Sequence, residues 1–401
     1  VRIHLHDGSG HPFQVQLSRA LARRGHEVLH THATQWVSGH GHLTVTPQDP
    51  PTLRIEGITA PREYDKYSPL KRSLWELSYA RAWQAKLAEN PCDVVLSCNT
   101  QLFVAAAMRR YFTRTSQRWV LWHQDIYSLA LRAEAARKLP GPIAKPVGAR
   151  LVGMEQAVVR GADEVIAIGP QFPEQYREWG MSNVPVTVIP NWAPLDEITP
   201  GERDNGWWAG QGLPADGLRL LYAGTLGRKH NPQLLLDLVE QVRTAGGDAV
   251  LVVASEGPGA DYLAPLSQSR DYVTVLPFQP AELLSPMLAS GDVLIALLEP
   301  DAGKFSVPSK VLSYLSAGRP VLGLVPDENP ASADIAAAGG FAAAPTSDGV
   351  ATAARWVAGL AADPARVSGV GMKAREYAQI RFDIEKIADD FERVLRRVAG
   401  V

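Results

Sequence analysis

VIPNWAPLDEITPG, residues 188–201, is the stretch that decides the fold. Pro190, Pro194 and Pro200 fall within eleven residues, and Gly201 follows. Each proline removes a backbone donor and bars the residue before it from helical geometry, so no regular element runs through this segment. It reads as an interdomain linker because the same pattern stops before it and restarts after it. Upstream, the apolar runs VRIHLH, EVLHT, DVVLSC, RWVLWH, EVIAI and VTVI alternate with helix-like segments such as 73–89 and 147–160. Downstream, LRLLYAG, AVLVVAS, YVTVL, VLIALL and PVLGLV do the same. Short apolar strands alternating with helices make a parallel, doubly wound sheet. The expectation is two consecutive Rossmann-like α/β domains, 1–192 and 193–383. A last helix, 384–398, carries Ile387, Phe391, Val394, Leu395 and Val398 on one stripe. No third domain is available to cover that stripe, so the helix is expected to pack back, the first domain being the candidate.

Bulk properties agree with two domains. A chain of 401 residues, 46% hydrophobic and 20% charged, is long enough for two ordinary cores. No apolar run approaches the roughly 18 residues of a membrane span. The opening VRIHL runs straight into polar residues, without the basic-then-apolar pattern of a leader. Cys92 and Cys98, in PCDVVLSCN, read as buried free thiols in a strand, and no Asn-x-Ser/Thr sequon occurs. A reducing cytoplasm is the expected compartment. A net charge of −2 argues against a general nucleic-acid binder. The charge is uneven, however: through Leu195 there are 22 basic and 16 acidic residues, afterwards 18 and 26. Two domains with different partners would produce such asymmetry.

Several strand ends carry chemistry. Gly8-Ser9-Gly10 follows the first strand, where glycines let a backbone approach a ligand. A dinucleotide site would want glycine at Phe13 and an acid near Thr31, His32 and Ala33. The loop is therefore a substrate-facing loop, or a plain tight turn. His4 and His6 alternate on one strand face beside Asp7, as a metal pair could. Only His123 and Asp125 offer further ligands, so no metal is expected. Ser38-Gly39-His40-Gly41-His42 reads as a loop. Trp122-His123-Gln124-Asp125 ends a buried strand, where α/β sheets bind ligands; a hydrogen-bonded core histidine is the plainer alternative. Gly224-Thr225-Leu226-Gly227-Arg228-Lys229 sets two glycines beside two cations, an anion cradle or a solvated turn. Glu256-Gly257-Pro258-Gly259 ends the next strand. The strongest local signal is KFSVPSKVLSYLSAGRPVLG. Pro308 suits a first helical turn, Ser309, Lys310 and Val311 then present amides at its positive end, and Gly318 stops the helix.

These pieces, in this order, resemble the family 4 glycosyltransferases over nearly the whole chain. LARRGHEV looks like the family's first βαβ unit, VIPNWAP its hinge, YAGTLGRKHNP its phosphate loop, and PSKVLSYLSAGRPVL its donor-binding segment. Members that build bacterial surface polysaccharides look most similar. The resemblance implies a GT-B fold with a cleft, the acceptor on the N-terminal domain and a nucleotide-sugar on the C-terminal one. It implies retention of anomeric configuration and no metal or other cofactor. On this basis the catalytic candidates are His123, Lys229 and Asp125. The donor-binding set is Gly224, Thr225, Arg228, Glu256, Phe278, Ser309, Lys310 and Val311. The sequence departs from the family at its Glu-x7-Glu motif, where it has Phe305 and Ser313.

The acceptor is expected to be a glycan, a lipid-linked intermediate or a small molecule. Two basic-aromatic stretches raise peripheral contact with an anionic membrane. In one, Arg62, Lys66, Lys71 and Arg72 interleave with Tyr64, Tyr67, Trp75, Tyr79 and Trp83. The other runs from Arg109 and Arg110 through Tyr111, Phe112 and Arg114 to Arg118. The plainer reading makes Trp75, Tyr79 and Trp83, spaced by four, the buried stripe of a helix.

Overall fold

The first sheet begins at β1 (Arg2–Asp7), followed by α1 (Pro12–Arg23), β2 (Glu27–Ala33), β3 (Leu53–Ile58), α2 (Pro69–Glu89), β4 (Val94–Cys98) and α3 (Leu102–Thr115). It continues through β5 (Trp119–His123), α4 (Tyr127–Lys138), α5 (Gly141–Gly161), β6 (Glu164–Ala167), α6 (Gln171–Glu178) and β7 (Val186–Val188). The second comprises α7 (Gly206–Gly210), β8 (Leu218–Ala223), α8 (Gln233–Thr244), β9 (Ala249–Ala254), α9 (Pro258–Ser267), β10 (Val273–Leu276) and α10 (Ala281–Ser290). It closes with β11 (Val293–Leu297), α11 (Ser309–Ser316), β12 (Val321–Leu324), α12 (Pro330–Ala337), β13 (Phe341–Ala343), α13 (Ser347–Ala361) and α14 (Pro364–Arg381). A final helix, α15 (Ile384–Ala399), ends the chain. This computed structural model describes all residues except 11, 36–40, 65–67, 215, 228–229 and 300–308, and omits the side chains of 69–70.

Val1–Asn191 with Ile384–Val401 form one unit, and Trp192–Asp383 the other. The strand orders are β3-β2-β1-β4-β5-β6-β7 and β10-β9-β8-β11-β12-β13. Neighbours pair in parallel, so helices cover both faces and the central strands bury on both sides. Every residue of β4, β8, β9 and β11 is buried. Both units are Rossmann-like, which is the GT-B pair of domains. In the second unit, Leu235, Leu238, Val239 and Val242 of α8 pack on Leu220, Leu251 and Ile295 of the sheet. α15 belongs to the first unit. Its Phe391 meets Trp122 edge-on at 4.7 Å, Arg24 binds Asp389 at 2.9 Å, and His26 faces Glu392 at 3.1 Å.

The histidine pair on β1 belongs to the core. His4 Nε2 and His6 Nδ1 both hydrogen-bond to Thr31 Oγ1 on β2, each at 2.9 Å. The His6 ring stacks on Trp83 at 3.6 Å, and His30 Nδ1 meets Ser18 Oγ at 2.8 Å. Burial holds His4 and His30 down at about 3, and pushes His6 well below its ordinary value. Among the described residues no group of three or more His, Cys, Asp or Glu side chains could hold a metal ion.

Two expectations need correcting. Trp75, Tyr79 and Trp83 are completely buried, with Trp75 and Tyr79 stacked at 4.9 Å, so they are the inward stripe of α2. Phe112 is likewise buried, while Lys66 and Tyr67 lie outside the described residues. Of the described rings, Trp75, Tyr79, Trp83 and Phe112 are thus closed to a headgroup interface, while Tyr64 and Tyr111 are half-buried. Cys98 is a buried thiol in β4, but Cys92 precedes the strand and is half-buried. Of the glycine-histidine loop, Ser38, Gly39 and His40 lie outside the described residues. No helix among the described residues is long and apolar enough to cross a membrane.

Candidate functional site

In an open parallel sheet, a crevice forms beyond the strand ends where the strand order reverses. Each unit has one such point: β1 beside β4 in the first, β8 beside β11 in the second. The loop Gly8–Gly10 lies at the first of these points, and Gly224, Thr225, Ser309 and Lys310 lie at the second.

In the first unit, the loop after β1 is tied down on β4. Gly8 N–H donates to the Cys98 carbonyl at 3.0 Å. Asp7 Oδ1 accepts from Ser9 N and Ser9 Oγ, at 3.0 and 2.9 Å, and from Asn99 Nδ2 at 3.3 Å. A side chain at Gly8 would come within 2.3 Å of the Asn99 carbonyl, so glycine is required there. Gly10 has φ 75°, which favours glycine too. His123, at the end of β5, lies beside this crevice. With Asn99, Thr100, Gln124, Asp125 and Glu155 it lines a cavity of about 20 Å3, room for one water.

His123 is held from two sides. Its Nδ1 lies 2.6 Å from Tyr176 Oη of α6, and its Nε2 lies 3.4 Å from Glu155 Oε1 of α5. The Glu155 carboxylate also accepts from Tyr127 N and Ser128 N, both at 3.0 Å, at the positive start of α4. An ionised carboxylate only accepts, so this arrangement assigns the proton to Nε2 and leaves Nδ1 to accept from Tyr176. Burial raises the Tyr176 phenol well above its usual range, which keeps it a neutral donor. Gln124 Oε1 accepts from Asn191 Nδ2 at 3.2 Å, and Asp125 is exposed.

In the second unit, the ends of β8 and β11 and the start of α11 enclose a pocket of about 430 Å3, within the size range of small-molecule sites. Gly224, Thr225, Phe278, Ser309 and Lys310 of the expected donor set line it, together with His230, Gln279, Ser313 and Tyr314. Gly224 takes φ 116°, and a Cβ there would lie 3.4 Å from Lys310 Nζ. Lys310 therefore reaches under the glycine. Its ammonium donates to Tyr222 Oη and sits 3.9 Å from the centre of that ring. Burial lowers the Lys310 ammonium to about 7. Tyr222 Oη–H donates to the Thr225 carbonyl at 3.1 Å, and burial raises its phenol far above the usual range. Tyr314 of α11 clamps the end of β8, donating to the Ala223 carbonyl and accepting from Ala223 N–H, each at 3.0 Å.

Two members of the donor set are placed differently. Val311 turns its side chain into the core, at 3% exposure, so only its backbone amide is available to a ligand. Glu256 does not line the pocket; its carboxylate accepts from Thr225 Oγ1 at 3.3 Å and braces the loop from outside. Phe278 does line it, with half its surface open. Arg228, Lys229 and Phe305 lie outside the described residues, as does Pro308. Tyr222, Glu155 and Tyr176 escaped the sequence reading, which took Tyr314 only for part of the buried side of its helix. A tyrosine closing the apolar run LRLLY and a lone acid inside the apolar stretch GMEQAVV were the available signals.

With this geometry in view, likeness to known proteins falls into place. Residues 10–192 match the glycosyl transferase 4-like domain, and residues 217–362 match the glycosyl transferases group 1 domain. The chain belongs to the family 4 glycosyltransferases. D-inositol 3-phosphate glycosyltransferase 1 of Catenulispora acidiphila is 32% identical over 157 residues, 38% of this chain and 37% of that protein. The match thus spans a little over a third of that relative's length. Among solved structures, sucrose-phosphate synthase from Thermosynechococcus elongatus superposes with a TM-score of 0.73, at 17% identity and full coverage of both chains. HepE of Anabaena, solved with UDP, gives 0.68 at 16% identity over 99% of this chain and 100% of its own; a second HepE structure holds UDP-glucose. The lipopolysaccharide outer core galactosyltransferase WaaB gives 0.62 at 13% identity, over 99% of both chains. At these identities the superpositions speak for the fold.

Proposed function

We propose that the chain transfers a sugar from a nucleoside diphosphate to an acceptor hydroxyl, with retention of anomeric configuration and without a metal ion. The observation that carries this is the 430 Å3 pocket at the β8–β11 reversal, with Lys310 beneath Gly224 and the start of α11 beside it. A departing diphosphate develops negative charge. Lys310 and the amides of α11 are suited to stabilise it without a divalent cation; the sequence candidates Arg228 and Lys229 lie outside the described residues. HepE, of the same fold, has been solved with UDP and UDP-glucose, which supports a nucleoside-diphosphate sugar as the ligand class. His123 serves the sugar being transferred, held by Tyr176 and Glu155. The acceptor is a hydroxyl of a glycan, a lipid-linked intermediate or a small molecule. Two free cysteines suit a reducing cytoplasm.

The test is acceptor-dependent release of nucleoside diphosphate from a panel of nucleotide-sugars, with the anomeric form of the product read by NMR. Release that requires acceptor, retains configuration and survives EDTA is expected. Inverted product, or activity lost to EDTA and restored by a divalent ion, would overturn the corresponding part. Ser313 lines the pocket where the family carries its second acid, which favours a second reading as a nucleotide-sugar-binding protein. That protein would gain thermal stability with a nucleotide-sugar yet never release the diphosphate. An epimerase would alter the sugar with no acceptor present.

A further inference from the structure

The α4–α5 hairpin lacks what normally holds a surface helix. Of the twelve residues of α4, only Ser128 is buried, and the first half of α5 buries only Ala144 and Gly148. Helices of this length are marginal in water and usually gain their stability by covering an apolar stripe. Here the apolar side chains around the turn stay open: Leu139 is 37% exposed, Ile143 52% and Val147 37%. Cations surround them. Between positions 127 and 151 stand Arg132, Arg137, Lys138, Lys145 and Arg150, against the single acid Glu134. Lys138 spends part of its charge on Glu134 at 2.7 Å. A groove of about 750 Å3 opens between the hairpin and α2 and α3, lined by Phe103, Leu131, Val147 and Leu151 with Arg137 and Lys138.

We propose that this hairpin docks on an anionic lipid bilayer. Leu139, Ile143 and Val147 enter the boundary between headgroups and chains, and the five cations meet lipid phosphates. The groove offers one lipid chain a place to lie. Open aliphatic side chains ringed by lysine and arginine suit an interfacial element. A second copy of the chain is a poor occupant, because it would set five cations against five. Nucleic acid is a poor one too, because the open side chains are aliphatic and offer no ring for bases to stack on. The inference stands independently of the transferase reading.

Co-sedimentation with vesicles tests it, comparing phosphatidylcholine alone with phosphatidylcholine carrying a minority of phosphatidylglycerol. Binding is expected only with the anionic lipid, weakening as salt rises. The double variant Arg137→Gln/Lys138→Gln should bind about 30-fold more weakly, at roughly a factor of five per cation. Ile143→Ser/Val147→Ser should also release the protein. Arg109→Gln/Arg110→Gln, on α3 and not among the residues lining the groove, should bind as the native chain does. All these side chains are open or half-open, and a circular dichroism melt confirms that each variant folds. Equal binding to neutral vesicles, no binding at low salt, or native binding by the hairpin variants would each overturn the proposal. So would dimerisation in sedimentation velocity that Ile143→Ser abolishes, since the hairpin would then serve a second copy.

Discussion

Lys310 is a half-buried amine at the wall of the pocket, and its protonation is therefore tied to its ligand. Burial sets it at about 7. A bound diphosphate would supply the missing counter-charge and raise it again. Binding then takes up a proton, so donor affinity should be full below pH 7 and fall by up to about tenfold per pH unit above it. Calorimetry in buffers of different ionisation enthalpy measures that uptake. Lys310→Gln should bind more weakly and lose the pH dependence; an unchanged slope would place the titration elsewhere. His123 poses the opposite case, a ring with both nitrogens engaged. His123→Ala should lower turnover more than tenfold, and leaving the buried Glu155 short of a partner should cost about 1–3 kcal/mol of stability. Turnover within a factor of two of native would make it a structural histidine. Lys310 was legible because a Pro-Ser-Lys run before an apolar helix stands out locally. Its partner Tyr222 was not, because 88 positions separate them and only the sheet brings them together. Glu155 was hidden in the same way, 32 positions from His123.

β1 and β2 carry a stability switch that depends on acidity. His4 and His30 sit at about 3 in the fold, against about 6.5 for an unfolded histidine, and His6 shifts the same way. Between those values the unfolded chain binds protons that the folded one refuses. Stability is thus complete above pH 6.5 and declines as pH falls toward 3, by about 1.4 kcal/mol per pH unit for each histidine. Urea unfolding followed across that window should show the decline. A flat midpoint from pH 6.5 to about 4 would mean these rings are not buried neutral. Elements with strong apolar runs, such as β4 and β8, could be read from the sequence. β3 and β13 could not, since LRIEGI mixes charges into a short run and FAA is three residues long. α4 was missed for the reason that makes it interesting: with one buried residue it has no apolar period to detect. The aromatic repeat in α2 was plain, but four-residue spacing alone does not say whether a stripe faces the core or a lipid.

At the scale of the molecule, the chain leaves the first unit at Asn191 and returns to it at Ile384. The proline-rich segment announced the departure, because proline acts locally on the backbone. The destination of α15 rests on long-range contacts such as Phe391 with Trp122 and Arg397 with Glu164. Truncation after Asp383 should strip those contacts and lower the melting temperature of the first unit, while the transition of the second stays in place. Differential scanning calorimetry resolves the two, and an unshifted first transition would show that α15 contributes little. The same detour governs the order of events on the ribosome. The first unit waits for residues 384–401 while the intervening 192–383 are synthesised, about 10–40 s at typical elongation rates. The second unit is continuous in the chain and can fold during that interval. Trp122 and its neighbours remain uncovered until α15 has been synthesised, so of the two units the one begun first is the last to be completed.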